Sequence, residues 1–218
     1  MELRMNDEDG VVRGEGYAEK YITFAEKMDA ASEKGLAVAF GAHSVARSSD
    51  TVGYAISFGS HGVAEASTAV SILSSYGMAR ASRLAIALNH AGKAIGREIA
   101  IAENLASEAH SEEVAVSFGP RGLADGKLAI SLGKEGKAIA REGGTIALAC
   151  YEKSPGRWEL AHGCDPTWLD GEENLSGLKV SKVGENGIRA NYIYQLDDQG
   201  AFKEIGPANA PLDYSQRS

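Results

Sequence analysis

Residues 114–140 read VAVSFGPRGLADGKLAISLGKEGKAIA, and one pattern is written in them twice. VAVSFG (114–119) and LAISLG (128–133) alternate large apolar residues with Ala or Ser. Each hexamer runs into a glycine-containing turn. A second alanine follows the first by nine residues, Ala124 after Ala115 and Ala138 after Ala129. Strict alternation is the period of a strand, because successive side chains of extended backbone point to opposite faces.

The same block recurs upstream as LAVAFG (36–41), YAISFG (54–59), TAVSIL (68–73), LAIALN (84–89) and IAIAEN (99–104), and downstream more weakly as TIALAC (145–150). The leading alanines are Ala37, Ala55, Ala69, Ala85, Ala100, Ala115, Ala129 and, through its Ile-Ala pair, Ala147. The trailing alanines are Ala46, Ala64, Ala79, Ala94, Ala109, Ala124 and Ala138. Short strands repeating about every 15 residues and broken by turns predict an all-β fold, a parallel β-solenoid with two strands per rung. At about 4.8 Å between stacked strands, eight rungs reach roughly 35–40 Å.

Two packings satisfy this alternation. In a thick solenoid, residues such as Leu36, Val38 and Phe40 fill the interior. In a thin roll, the alanines of the two strands meet and the large residues face outward. The second strand favours the thin roll, since its alanines are flanked by charges (Ala46-Arg47, Ala64-Glu65, Ala79-Arg80, Ala124-Asp125). Val38, Ile56, Val70, Ile86, Ile101, Val116 and Ile130 then form the centre of a continuous outward apolar stripe. A stripe of that length exceeds what a monomer usually exposes, so these seven residues are the expected oligomer interface.

Composition agrees. Hydrophobic residues are 44% of the 218-residue chain but aromatics only 7%, and there are 26 glycines, well above the usual ~7%. A formal net charge of −8 disfavours a nucleic-acid partner, which needs clustered Lys and Arg. Two cysteines, Cys150 and Cys164, cannot form a disulfide framework. The acidic N-terminal stretch has no apolar signal region, and no run of about 18 apolar residues suggests membrane insertion. A cytoplasmic or virion-associated location is the resulting expectation.

The rung hAhxhG, turn, GxA over residues 36–149 resembles the head domains of trimeric autotransporter adhesins. That resemblance implies a left-handed parallel β-roll assembled as a homotrimer, with its aliphatic faces around the three-fold axis. Residues 145–206, from GTIALACYE to Tyr194-Gln195-Leu196 and Phe202-Lys203-Glu204-Ile205, more loosely resemble the ends of small β-roll proteins of phage and bacterial genomes. Function does not follow from fold. The expectation is therefore a non-enzymatic structural or surface-recognition protein, of phage or mobile-element type, with an adhesin-like head for a host protein or glycan surface as the alternative.

The ends read differently. In residues 1–35, Tyr17, Tyr21, Phe24, Met28 and Ala31 recur at helical spacing and predict a short amphipathic helix. A degenerate rung is the alternative, since Ile22 and Ala31 keep the nine-residue offset. Residues 150–206 alternate strand-like runs (WELAHG, GLKVSKV, NYIYQL, AFKEIG) with turn signals and predict a small antiparallel β cap, with residues 207–218 as a tail.

Candidate chemistry is sparse. The loops of the GKEGKA kind lack the GxxxxGK[ST] pattern of a phosphate loop. His43, His61 and His90 fall near one edge of the solenoid and could ligate a metal. Tyr76, Arg121 and Glu135 hold similar places, which fits a solvated turn better. His162, Cys164 and Cys150 match no zinc spacing, and Asp165, Asp170, Glu172 and Glu173 read as a solvated acidic loop. No nucleophile, general acid–base pair or cofactor motif can be placed, so no enzyme activity and no cofactor are expected.

Overall fold

Two columns of alanine run through the centre of the molecule, and all the second-strand alanines from Ala46 to Ala138 are 0% exposed. The computed structural model describes residues 3–6, 11–14, 22–26, 30–32, 35–49, 51–153 and 173–208. All its regular elements are strands. They are β1 (Leu3–Asn6), β2 (Val11–Gly14), β3 (Ile22–Glu26), β4 (Ala30–Ser32), β5 (Leu36–Phe40), β6 (Val45–Ser48), β7 (Tyr54–Phe58), β8 (Val63–Ser75) and β9 (Met78–His90). Next come β10 (Lys93–Gly96), β11 (Ile99–Ala102), β12 (Glu108–Ser111), β13 (Val114–Ser117), β14 (Leu123–Ser131) and β15 (Lys137–Lys153). The last are β16 (Glu173–Lys182), β17 (Tyr192–Leu196) and β18 (Phe202–Pro207).

From β3 to β15 the chain is a parallel solenoid of about seven turns, with rungs about 15 residues apart. Pairing is in register. Ala37 faces Ala55, which faces Ala69, then Ala85, Ala100, Ala115 and Ala129. The second strands pair likewise from Ala30 and Ala46 to Ala138. Alanine and serine line both inner faces, so the two layers approach closely and the roll is thin. The large side chains stand outside, with Phe40, Tyr54, Phe118 and Leu128 exposed.

The turn after each first strand explains how so many rungs accept different residues. Its third position has positive φ in each of the seven described turns from β5 onward, from 50° to 63°, at His43, His61, Tyr76, Ala91, Ala106, Arg121 and Glu135. Positive φ at this position is the mark of a type II turn, and Pro120 sits just before it, where that turn favours proline. Non-glycine residues there are strained by about 1–2 kcal/mol. Each of the first six turns offsets this by donating its N–H to the next rung, as in His43 N to Ser60 O (2.8 Å) and Ala106 N to Pro120 O (2.8 Å).

Two expectations are corrected. The amphipathic helix over Tyr17 to Ala31 is not found in the described residues, where β3 and β4 form a rung instead. Its register is also one step from the expected one. Thr23 pairs with Ala37, and Ala30 (not Ala31) pairs with Ala46 and is buried. At the other end, Ala147 does not continue the inner column. Ile146 pairs with Ala129, and Ala147 pairs with Ile130 on the outer face. The shift follows an irregularity between Gly126 and Leu128.

Antiparallel strands extend the stack at both ends, in the first-strand layer at the N-terminal end and in both layers at the C-terminal end. At the N-terminal end, β1 pairs with β2 and β2 with β3. At the C-terminal end the cap is divided. β16 extends the first-strand layer beyond β15, while β17 and β18 extend the second-strand layer. Ile146 and Leu148 point inward in this last rung and are buried in one cluster with Ile188 and Tyr194 of the cap. The Tyr194 hydroxyl fixes the cap turn, accepting from Arg189 N (2.8 Å) and lying 3.0 Å from Glu204 Oε2. The run WELAHG and the tail beyond Ala208 lie outside the described residues.

Candidate functional site

The seven residues expected at an interface form one unbroken column. Val38 pairs with Ile56, followed by Val70, Ile86, Ile101, Val116 and Ile130. Strand alternation turns all of them away from the alanine core. Ile56 through Ile130 remain half-buried in the single chain, whereas Val38 is already buried at 4% exposure. Apolar columns flank this one on both sides. Phe40 and Phe58 stack with ring centroids 5.0 Å apart and planes within 5°. Glu103, between Leu88 and Phe118 in rung order, is the charged exception from Leu36 to Leu132.

The opposite face is charged, and its charges are paired from rung to rung. Glu65 bridges Arg47 (2.8 Å) and Arg80 (3.3 Å), Lys93 reaches Glu108 (2.8 Å), and Arg97 reaches Glu112 (3.3 Å). Exposed pairs of this kind add little stability each. Their consequence is that this layer is well solvated, unlike the apolar layer behind it.

One polar cluster on this face escaped the sequence reading. His110 follows the inner Ala109, points outward and is only 6% exposed. Its Nδ1 lies 3.2 Å from Asp125 Oδ2 and its Nε2 lies 2.9 Å from Glu108 Oε2. Both partners are carboxylates, which accept hydrogen bonds when ionised, so the two contacts favour a proton on each ring nitrogen. Burial alone would lower the His110 pKa, but hydrogen bonds to Asp125 and Glu108 outweigh it and raise the pKa. The His110 hydrogen bond holds the Glu108 carboxyl down to about 2 against its burial, with Lys93 assisting. Arg141 closes the far side, 4.0 Å from Asp125. The signal in the sequence was Asp125 one rung, 15 residues, after His110.

The turn edge carries a ring column. His43 and His61 stack at 4.7 Å, and His61 and Tyr76 at 5.3 Å. His90 does not join it. Ala91 holds the equivalent place and His90 precedes it. Farther along, Arg121 Nε and Glu135 Oε2 are 2.7 Å apart in the same column. Among the described residues no three His, Cys, Asp or Glu side chains are grouped to hold a metal ion. His162, Cys164, Asp165, Asp170 and Glu172 lie outside the described residues, as does the side chain of Glu173, and Cys150 is a half-buried free thiol.

No helix among the described residues is long and apolar enough to cross a membrane. The rung pattern builds a parallel β-solenoid of about seven turns, consistent with a β-roll. In comparison with known proteins, the chain matches no family model, no curated protein and no solved structure.

Proposed function

We propose that this chain is a non-enzymatic structural or surface-recognition protein that assembles as a homotrimer through the outer apolar face of its first strands. The observation that carries the reading is the inversion of the usual burial order. Alanines are fully buried, while Ile56, Val70, Ile86, Ile101, Val116 and Ile130 remain partly in water. Another copy of the chain is the one partner always present to cover such a face. Three-fold packing about an axis along the roll brings each rung against its own equivalents. Light scattering after size exclusion tests this directly. The wild type should run as a trimer, and Ile86→Asp, at the middle of the column, should dissociate it. Arg80→Asp on the charged face should leave the mass unchanged. A folded wild-type monomer at micromolar concentration overturns the proposal.

A second reading, an adhesin-like head, is favoured by the turn edge, where His43, His61 and Tyr76 are exposed and lie off the apolar face. Stacked rings of this kind suit contact with a protein or glycan surface. Loss of binding to a glycan or matrix array in a Tyr76→Ala variant of unchanged mass would support that reading, and an array without signal for the wild type would remove it.

A further inference from the structure

The apolar face does not stop where the solenoid does. β16 runs antiparallel along the first-strand half of β15, and in that register Val180 faces Ala147 while Leu178 faces Ala149. Directly paired residues of neighbouring strands share a face. Ala147 pairs in turn with Ile130, so Val180 prolongs the column of Val116 and Ile130. Leu178, two residues away along β16, lies on the same face. Both are more exposed than the column they extend, Leu178 at 51% and Val180 at 58%. Between Ile130 and Val180 the face carries only the small Ala147, which leaves a shallow step there.

We infer that β16 of the cap is part of the assembly surface, with Leu178 and Val180 packing against a second copy of this chain in continuation of the solenoid face. The inference rests on the proposed assembly and adds to it that the cap takes part. Size supports it. Nine strands from β5 to β16, about 4.8 Å apart and five residues wide, make a face of roughly 600 Å2, approaching the ~800 Å2 that each partner gives to a standard interface. The division of the cap supports it too. β17 and β18 extend the charged layer, and only β16 lies in the layer whose central outward column is apolar, with Lys182 on the same face at its edge. In a three-fold arrangement every copy would meet the step at Ala147 at the same height, which would fix the register between copies.

The test compares the double variant Leu178→Asp/Val180→Asp with Ile205→Asp. Ile205 is an equally exposed apolar residue of the cap, but it lies on β18 in the other layer. The double variant should move the concentration at which trimer gives way to monomer upward by on the order of 100-fold or more, while Ile205→Asp should not move it. A readout independent of folding adds one cysteine at a time to the full chain, beside the native Cys150 and Cys164. Maleimide should label Val180→Cys at least about ten-fold more slowly than Ile205→Cys in the assembled protein, with mass spectrometry locating the adduct. If the wild type assembles, but the double variant assembles equally well or Val180→Cys labels as fast as Ile205→Cys, the cap inference is wrong and the assembly stands. If the wild type is a monomer, both are wrong.

Discussion

A Cβ placed on Gly62 would lie 2.1 Å from Ser57 Oγ, the hydroxyl that reaches across the same rung from the first strand. The relation repeats. Gly122 meets Ser117 at 1.9 Å and Gly136 meets Ser131 at 2.2 Å. Where the turn residue is instead serine, at Ser44 and Ser107, the strand residue opposite is Ala39 or Ala102. Each of these rungs thus holds one serine hydroxyl, placed on one side or the other. In the turn-side arrangement it bonds to the turn's own first carbonyl, Ser44 Oγ to Gly41 O at 2.9 Å and Ser107 Oγ to Asn104 O at 2.8 Å.

Gly62→Ser should therefore destabilise the protein by about 1–3 kcal/mol through overpacking, and adding Ser57→Ala should restore most of the loss. Ser57→Ala alone should be close to neutral, since Ser57 Oγ is buried without a hydrogen-bond partner. Thermal unfolding of the four proteins gives the coupling energy. A double variant no more stable than Gly62→Ser would show that the two sites are not complementary.

Most of the solenoid was legible in the sequence because each rung repeats one solution to one constraint. A thin interior admits only Ala, Ser, Gly or Asn, and the hydroxyl and amide among them must sit where the rung has space. Reading failed where that constraint ends. At Ile146 the cap widens the interior, so a large residue goes in and the alternation slips by one, which made Ala147 look like the next inner alanine. In the first rung Thr23 takes the register of the leading alanines, and the spacing of Phe24, Met28 and Ala31 then imitated a helix. His110 was passed over because its partner lies a full rung away. Leu178 and Val180 were passed over because an antiparallel strand carries no trace of the 15-residue repeat.

The change of interior at the last rung predicts opposite sensitivities on either side of it. Ile146→Ala should leave a cavity under the cap and cost about 2–5 kcal/mol. Ala100→Ile, in the narrow part, has no space to enter and should abolish folding. Circular dichroism and thermal melts decide between these outcomes. A well-folded Ala100→Ile variant would contradict the thin interior.

The His110 cluster predicts an acid-shifted stability maximum. The His110 pKa is raised in the folded state, so its contribution is present in full below its ordinary value of 6.5 and is lost as pH rises through the folded value. The Glu108 pKa is lowered to about 2, so its contribution is present above its ordinary 4.5 and is lost as pH falls from there towards about 2. Together they favour a window between about pH 4.5 and 6.5. Melting temperature measured across pH should decline above that window, and His110→Gln should flatten the decline. An unchanged slope in His110→Gln would assign the pH dependence elsewhere.

The exposed column also predicts that thermal stability depends on protein concentration. Fully burying a Val or Ile side chain is worth about 1.5–3 kcal/mol. The six half-buried members of the column have up to about a third of that still to gain, at most roughly 3–6 kcal/mol per chain. This is a large share of the ~5–15 kcal/mol by which a whole domain is stable, and the alanine interior has little other apolar surface to bury. Folding and association are then linked, and mass action enters the melting temperature. For three chains meeting, a tenfold rise in concentration adds about 0.9 kcal/mol per chain. An unfolding entropy of ~2.1 cal/mol/K per residue converts that into about 2 °C. Melting curves from 1 to 100 μM (about two decades) should therefore shift upward by about 4 °C, and Ile86→Asp should abolish the shift along with most of the folded signal. Wild-type melting temperatures that coincide over this range would mean that each chain folds alone with its apolar column in water.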